Sequence, residues 1–194
     1  CADTGGNLYV ADRNPAIQVF NAGDVYSPVL SFPLIYTTID KTYIEWLNNN
    51  IFVTNNISRT VYKYTAGVCV DSHILSSTAY GSFTPGRIFK VNQNIFVVNS
   101  ERQNEIVRMT ENLVITNTLV FAAGVIDSAD AGVNSQALGE QAVFYVDDTM
   151  GVTLKWGDFG EGPGKILNGK LIAYDAGGKL IYILDGGTIK IFGE

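Results

Sequence analysis

Short apolar runs punctuate this 194-residue chain at near-regular intervals. Leu8-Tyr9-Val10-Ala11-Asp12 returns as Ile51-Phe52-Val53-Thr54-Asn55, Ile95-Phe96-Val97-Val98-Asn99, Val143-Phe144-Tyr145-Val146-Asp147 and Ile181-Tyr182-Ile183-Leu184-Asp185. Each has the length of a strand, no polar face, and an Asp or Asn at its end. Such a run predicts a strand covered on both sides. After a tight turn, a second run alternates apolar with polar residues, as a half-exposed strand does. These runs are Ile17-Gln18-Val19, Val61-Tyr62-Lys63-Tyr64, Ile106-Val107-Arg108-Met109, Val152-Thr153-Leu154 and Ile189-Lys190-Ile191-Phe192. Inner strands are predicted before the apolar runs at Tyr43–Leu47, Arg87–Val91 and Lys170–Tyr174, and outer strands at Val25–Leu34, Val68–Leu75 and Leu113–Phe121. Helical periodicity is sustained nowhere.

The end positions 12, 55, 99, 147 and 185 are spaced by 43, 44, 48 and 38 residues. A strand-built period in the forties is the signature of propeller blades. Radial packing explains it, because each middle strand is then held between neighbouring blades. The expected fold class is all-β, a single β-propeller domain over residues 1–194. Its five blades fall at roughly 1–34, 35–79, 80–123, 124–160 and 161–194.

Gly160-Glu161-Gly162-Pro163-Gly164-Lys165-Ile166-Leu167-Asn168, then Leu171 to Lys179, Ile181 to Asp185 and Ile189 to Phe192, resembles one complete NHL-type propeller repeat. Asp3 to Asp12 with Ile17 to Phe20 resembles another that lacks its beginning, and Ile51 to Tyr64 resembles the related YVTN-type repeat of surface-layer and secreted proteins. The resemblance covers most of the chain and is tightest in the first and last repeats. It implies a propeller that commonly has six blades. The chain would then be an arc of a larger propeller, a processed product, or a subunit whose neighbour supplies strands; a short five-bladed ring is the rival reading. The first blade starts almost at its second strand and the last stops at its third, so each presents an edge that invites pairing.

Composition narrows the function classes. The chain has 19 acidic and 13 basic residues, and the basic ones are scattered, which argues against nucleic acid. No apolar stretch reaches the roughly 18 residues of a membrane span. Scarce Lys and turns rich in Asn, Thr and Ser lean toward an extracellular or cell-surface setting. Asn56-Ile57-Ser58 is the single glycosylation sequon, in a hairpin turn. Cys1 and Cys69 do not define a disulfide framework; they pair only if the fold brings them together, and Cys1 also fits a lipidated end or a simple start of chain.

Candidate chemistry is sparse. His73 is the only histidine and falls in a predicted outer strand, whereas the NHL-type enzymes that cleave amidated peptide precursors use several histidines around a channel metal. The end residues Asp12, Asn55, Asn99, Asp147 and Asp185 offer oxygen ligands to a cation. Their recurrence in every blade fits better with hydrogen bonds to the following turn. Residues 122–141 stretch the repeat and read as a solvated insertion. Asp127 and Asp130 with Asp147 and Asp148 are the candidate calcium ligands, yet Asp-x-x-Asp lacks the ligand density and fixed glycine of a calcium loop. Gly160–Gly164 reads as an inter-blade turn rather than a phosphate cradle. No catalytic residue and no cofactor is expected. The favoured function is a non-catalytic extracellular interaction or scaffold module, including a structural subunit of a surface or filamentous assembly. Its partner would be another protein, or a second copy met through exposed blade edges. The alternative is a channel-site lyase or hydrolase whose catalytic residues lie on a segment outside this chain.

Overall fold

Apolar runs with no polar face become strands buried between sheets. The computed structural model describes residues 1–11, 15–23, 28–35, 42–120, 127–130, 135–138, 143–156, 165–175 and 179–193; the side chains of 127–130, 135–137, 145 and 152–156 lie outside that description. Every regular element in it is a strand. The first sheet is β1 (Leu8–Ala11), β2 (Ala16–Phe20) and β3 (Leu30–Pro33), and the second is β4 (Thr42–Leu47), β5 (Asn50–Asn55), β6 (Thr60–Thr65) and β7 (Val68–Ile74). A two-stranded hairpin, β8 (Ser77–Thr78) and β9 (Gly81–Ser82), precedes the third sheet of β10 (Pro85–Val91), β11 (Asn94–Asn99), β12 (Glu105–Thr110) and β13 (Ile115–Val120). The fourth contains β14 (Asp127–Asp130), β15 (Ser135–Leu138), β16 (Val143–Val146) and β17 (Val152–Trp156). The fifth contains β18 (Gly169–Asp175), β19 (Leu180–Asp185) and β20 (Thr188–Gly193).

All pairing is antiparallel between strands adjacent in sequence. Two-residue turns make this possible where both residues take positive φ: Asn48-Asn49 (50° and 62°), Ala66-Gly67 (49° and 80°) and Gly186-Gly187 (55° and 90°). The inner strands β4, β10, β14 and β18 pack against one another in succession, and β1 packs on β4. Among the described residues, no contact of comparable extent joins the first sheet to the fifth.

Four apolar clusters fill the four gaps between the five sheets. On β5, Ile51 and Val53 enter the cluster shared with the first sheet, while Phe52 enters the one shared with the third. On β11, Ile95 and Val97 face the second sheet, and Phe96 and Val98 face Val146 and Met150 of the fourth. Ile172, Ile181 and Ile183 close against Leu138 and Val143 in the last gap. A strand's alternation thus serves two different cores. Thr54 adds a buried polar link, its hydroxyl donating to the Gly86 carbonyl at 2.7 Å. Gly86 sits at the β10 bulge, where a Cβ would lie 3.0 Å from that of Ser100.

Three expectations change. Residues 122–141 are not a plain insertion, because 127–130 and 135–138 form β14 and β15; the remaining positions fall outside the described residues. The apolar run in β16 is therefore the third strand of its sheet, whereas those in β5 and β11 are the second. That slip of one strand accounts for the long interval followed by the short one. Finally, β1 is not buried on both faces: Leu8 and Val10 are each 37% exposed, since an end sheet has a neighbour on one side only. Of the predicted outer strand at Val25–Leu34, β3 accounts for Leu30–Pro33, and 25–27 lie outside the described residues.

Val97 is fully buried and Val70 is 54% exposed. Val97→Asp strands a carboxylate between two sheets and should cost about 3–5 kcal/mol, a large part of a typical domain's stability. Val70→Asp should stay within about 0.5 kcal/mol of the parent. Urea melts of both variants check this, and equal midpoints would refute the assignment of the buried strands.

Candidate functional site

The residues that end the apolar runs hold turns. Asn99 is fully buried; its Oδ1 accepts from the amides of Thr84 (3.3 Å), Glu101 (3.0 Å) and Arg102 (3.4 Å). Its Nδ2 donates to the Ser82 carbonyl at 3.1 Å and to Glu105 at 2.7 Å. Glu105, also buried, takes an ion pair from Arg102 at 2.8 Å and a hydrogen bond from the Thr78 hydroxyl. Arg102 continues to the carbonyls of Tyr80 and Ser82, so one network clamps the β8–β9 hairpin onto the third sheet. Sequence reasoning found Asn99 but not Glu105 or Arg102, whose roles depend on the hairpin folding back over them.

Asn55 accepts from the Ser58 amide at 2.9 Å. Asp185 accepts from the amides of Leu167 (3.1 Å) and Asn168 (2.5 Å) and pairs with Lys190 at 2.6 Å. Burial pushes its carboxyl upward, but Lys190 and the two amides outweigh that and hold it below the usual carboxylate range. Asp147 accepts from the Thr149 hydroxyl (2.7 Å) and the amides of Thr149 and Gly151 (both 2.8 Å), and the Thr149 hydroxyl leads in holding its carboxyl below the usual carboxylate range. A side chain at position 151 would push on the Asp147 carboxylate and disturb these hydrogen bonds. Asp12 lies outside the described residues, as do Gly160–Gly164.

The candidate cation ligands are spread over the fourth sheet. Asp130 pairs with Ser135, which pairs with Val146, so two strand spacings, about 10 Å, separate the backbone of Asp130 from the Asp147 end of β16. Asp127 is at the opposite end of β14. Asp148 accepts from Asn92 across the gap to the third sheet at 3.1 Å. Among the described residues, no three His, Cys, Asp or Glu side chains converge as a metal site would need.

His73 is half-buried on the outer strand β7, opposite Val61. Asn56 is half-buried in the β5–β6 turn beside exposed Ile57 and Ser58, and the Ser58 hydroxyl lies 3.2 Å from that of Tyr62. Cys1 and Cys69 are free thiols packed against the cluster between the first two sheets, and burial pushes the Cys69 thiol upward. Cys1 keeps the start of an inner strand, its carbonyl accepting from Tyr9 at 2.9 Å.

Among the described residues, two sheet faces expose apolar side chains. In the fifth sheet, pairing aligns Leu171, Leu184 and Ile189 in one row, with Tyr182 and Ile191 in the next. Leu171, Ile189 and Ile191 are 51%, 65% and 60% exposed. The first sheet places Leu8, Val10 and half-buried Phe20 on its outward face. The corresponding positions of β5 and β11 are covered by the next sheet.

No protein-family model matches the sequence, and no curated protein matches it either. Solved structures do. Streptogramin B lyase aligns with 100% of this chain and 67% of its own at a TM-score of 0.66 and 15% identity. A catalytically inactive histidine-to-alanine variant of virginiamycin B lyase from Staphylococcus aureus, with quinupristin, gives 100%, 68%, 0.65 and 14% in the same order. BBS1N in complex with ARL6DN gives 96%, 60%, 0.63 and 12%. The chain thus spans about three fifths to two thirds of the structures it matches. Radial sheets with a shared inner row and these neighbours define the fold as a β-propeller.

Lys190→Met should leave Asp185 buried without its cation and cost about 3 kcal/mol at neutral pH. Because the folded carboxyl sits below its unfolded value, its stabilisation is full above about pH 4 and lost as pH falls through the folded value. Removing Lys190 raises the folded value and moves acid unfolding to higher pH. Urea melts from pH 7 down to pH 3 test this, and an unshifted acid limb would refute the pairing.

Proposed function

We propose that this chain is a non-catalytic propeller module that binds protein through its uncovered end sheets, in an extracellular or cell-surface setting. The observation that carries the reading is the apolar face of Leu171, Tyr182, Leu184, Ile189 and Ile191, laid out like the faces that pack sheet on sheet in the interior. The partner chemistry that fits is another β-sheet face, supplied by a protein partner or a second copy. Exposed apolar sheet of this extent favours association over a wet surface. The setting rests on the sparse Lys and the Asn-, Thr- and Ser-rich turns.

A lyase or hydrolase remains the second reading, favoured only by the likeness to streptogramin B lyase, and likeness at 15% identity carries the fold alone. The single histidine lies on β7, the outer strand of its sheet, so this reading needs catalytic residues from a segment outside this chain.

Sedimentation over a wide concentration range tests the favoured reading. The parent should associate, with itself or with an added extracellular extract, and the triple variant Leu171→Lys, Ile189→Lys, Ile191→Lys should stay monomeric with its melting unchanged. A parent that remains monomeric and captures nothing would overturn it, as would association that survives the triple variant.

A further inference from the structure

We propose that the cavity between the first and second sheets binds a small organic cation, an ammonium carried on an aromatic or compact apolar body. The cavity measures about 250 Å³, and Tyr9, Phe32, Trp46 and Tyr64 supply its walls, with Asp3 at its rim. An apolar cavity of about 150 Å³ admits benzene. This one therefore has room for a ring and a short charged arm.

The walls are preset. Phe32 and Tyr64 meet with ring centroids 5.7 Å apart, and the Tyr64 hydroxyl is engaged by the Ile35 amide at 3.1 Å. Trp46 is nearly buried and already holds a cation, the Lys90 ammonium, 5.3 Å from its ring centroid, although Lys90 does not line the cavity. Electron-rich rings of this kind attract cations, most strongly where water is excluded.

Asp3 supplies the charge. Its Oδ1 accepts from the amides of Gly5 and Asn7, both at 2.9 Å. Its Oδ2 accepts from Asn7 Nδ2 at 2.8 Å and from the Tyr9 hydroxyl at 3.2 Å. Every partner is a neutral donor, so the carboxylate is held in place and ionised while its charge is uncompensated. Among the described residues, no Lys or Arg stands against it; the other turn-holding carboxylates differ, Asp185 being paired with Lys190 and Asp147 lying in the field of Arg108. An anion is therefore repelled, and a neutral apolar molecule gains nothing from the rim. The site is independent of the end-sheet reading, because Tyr9 and Val19 point to the packed side of the first sheet and Leu8 and Val10 to the other.

Titration with 2-phenylethylamine and with its neutral counterpart 2-phenylethanol, followed by amide and indole NMR shifts, tests the proposal. The amine should bind saturably in the millimolar range or tighter, about tenfold better than the alcohol, with shifts centred on Asp3, Trp46 and Tyr64. Asp3→Asn should bring the two ligands within about twofold of each other. Leu30→Lys, at a lining position 53% exposed on β3, sets a competing ammonium beside the cavity and should weaken the amine while leaving the fold intact. The proposal fails if neither ligand saturates, if the alcohol binds as well as the amine, or if the amine keeps its advantage in folded Asp3→Asn or its affinity in folded Leu30→Lys.

Discussion

Every apolar strand in the middle of this chain needs a neighbour on each face, and that requirement organises the molecule. Ile51 and Val53 cannot be covered by the sheet that covers Phe52, so β5 must stand between two sheets, and β11 repeats the demand with Val97 and Phe96. A stack of two sheets would leave one face of each wet. A radial series of small sheets covers both. Leu8 on β1 and Ile189 on β20, in the first and fifth sheets, are exposed.

Polar groups at the strand ends obey a second rule, electrostatic rather than hydrophobic. At two run ends the residue type suits its charged neighbour: Asp185 meets Lys190, while Asn99 meets Glu105, which Arg102 neutralises. An aspartate at position 99 would set two buried carboxylates against each other. Among the described residues, Asn55, Asn99, Asp147 and Asp185 are committed to the backbone around them.

With the strand ends occupied, the surfaces left for recognition are those where packing is incomplete. The exposed end-sheet faces would offer area to a protein, and the aromatic cleft beside Asp3 would offer a small volume, open to solvent on one side, to a cation. The two lie on opposite faces of the first sheet, so binding at one does not require the other.

The apolar runs alone determined the buried strands of the second and third sheets and the sheet-on-sheet architecture, because covering two faces of a strand is a local demand written in every second residue; they did not show β8, β9, β14 or β15. They also marked Asn55, Asn99 and Asp185 as turn-holding residues, since the same residue type recurs at the same place. The order of strands in the fourth sheet was not legible: the run of β16 looks like those of β5 and β11, and only the pairing of β14 and β15 inside it shows that it stands third. Nor were the clamp from Arg102 and Glu105 to the β8–β9 hairpin or the cavity at Asp3 and Trp46, which join residues 20 or more positions apart. Periodicity records how each strand is buried, whereas the meeting of distant side chains depends on which sheet comes to rest against which, and that only the packed structure decides.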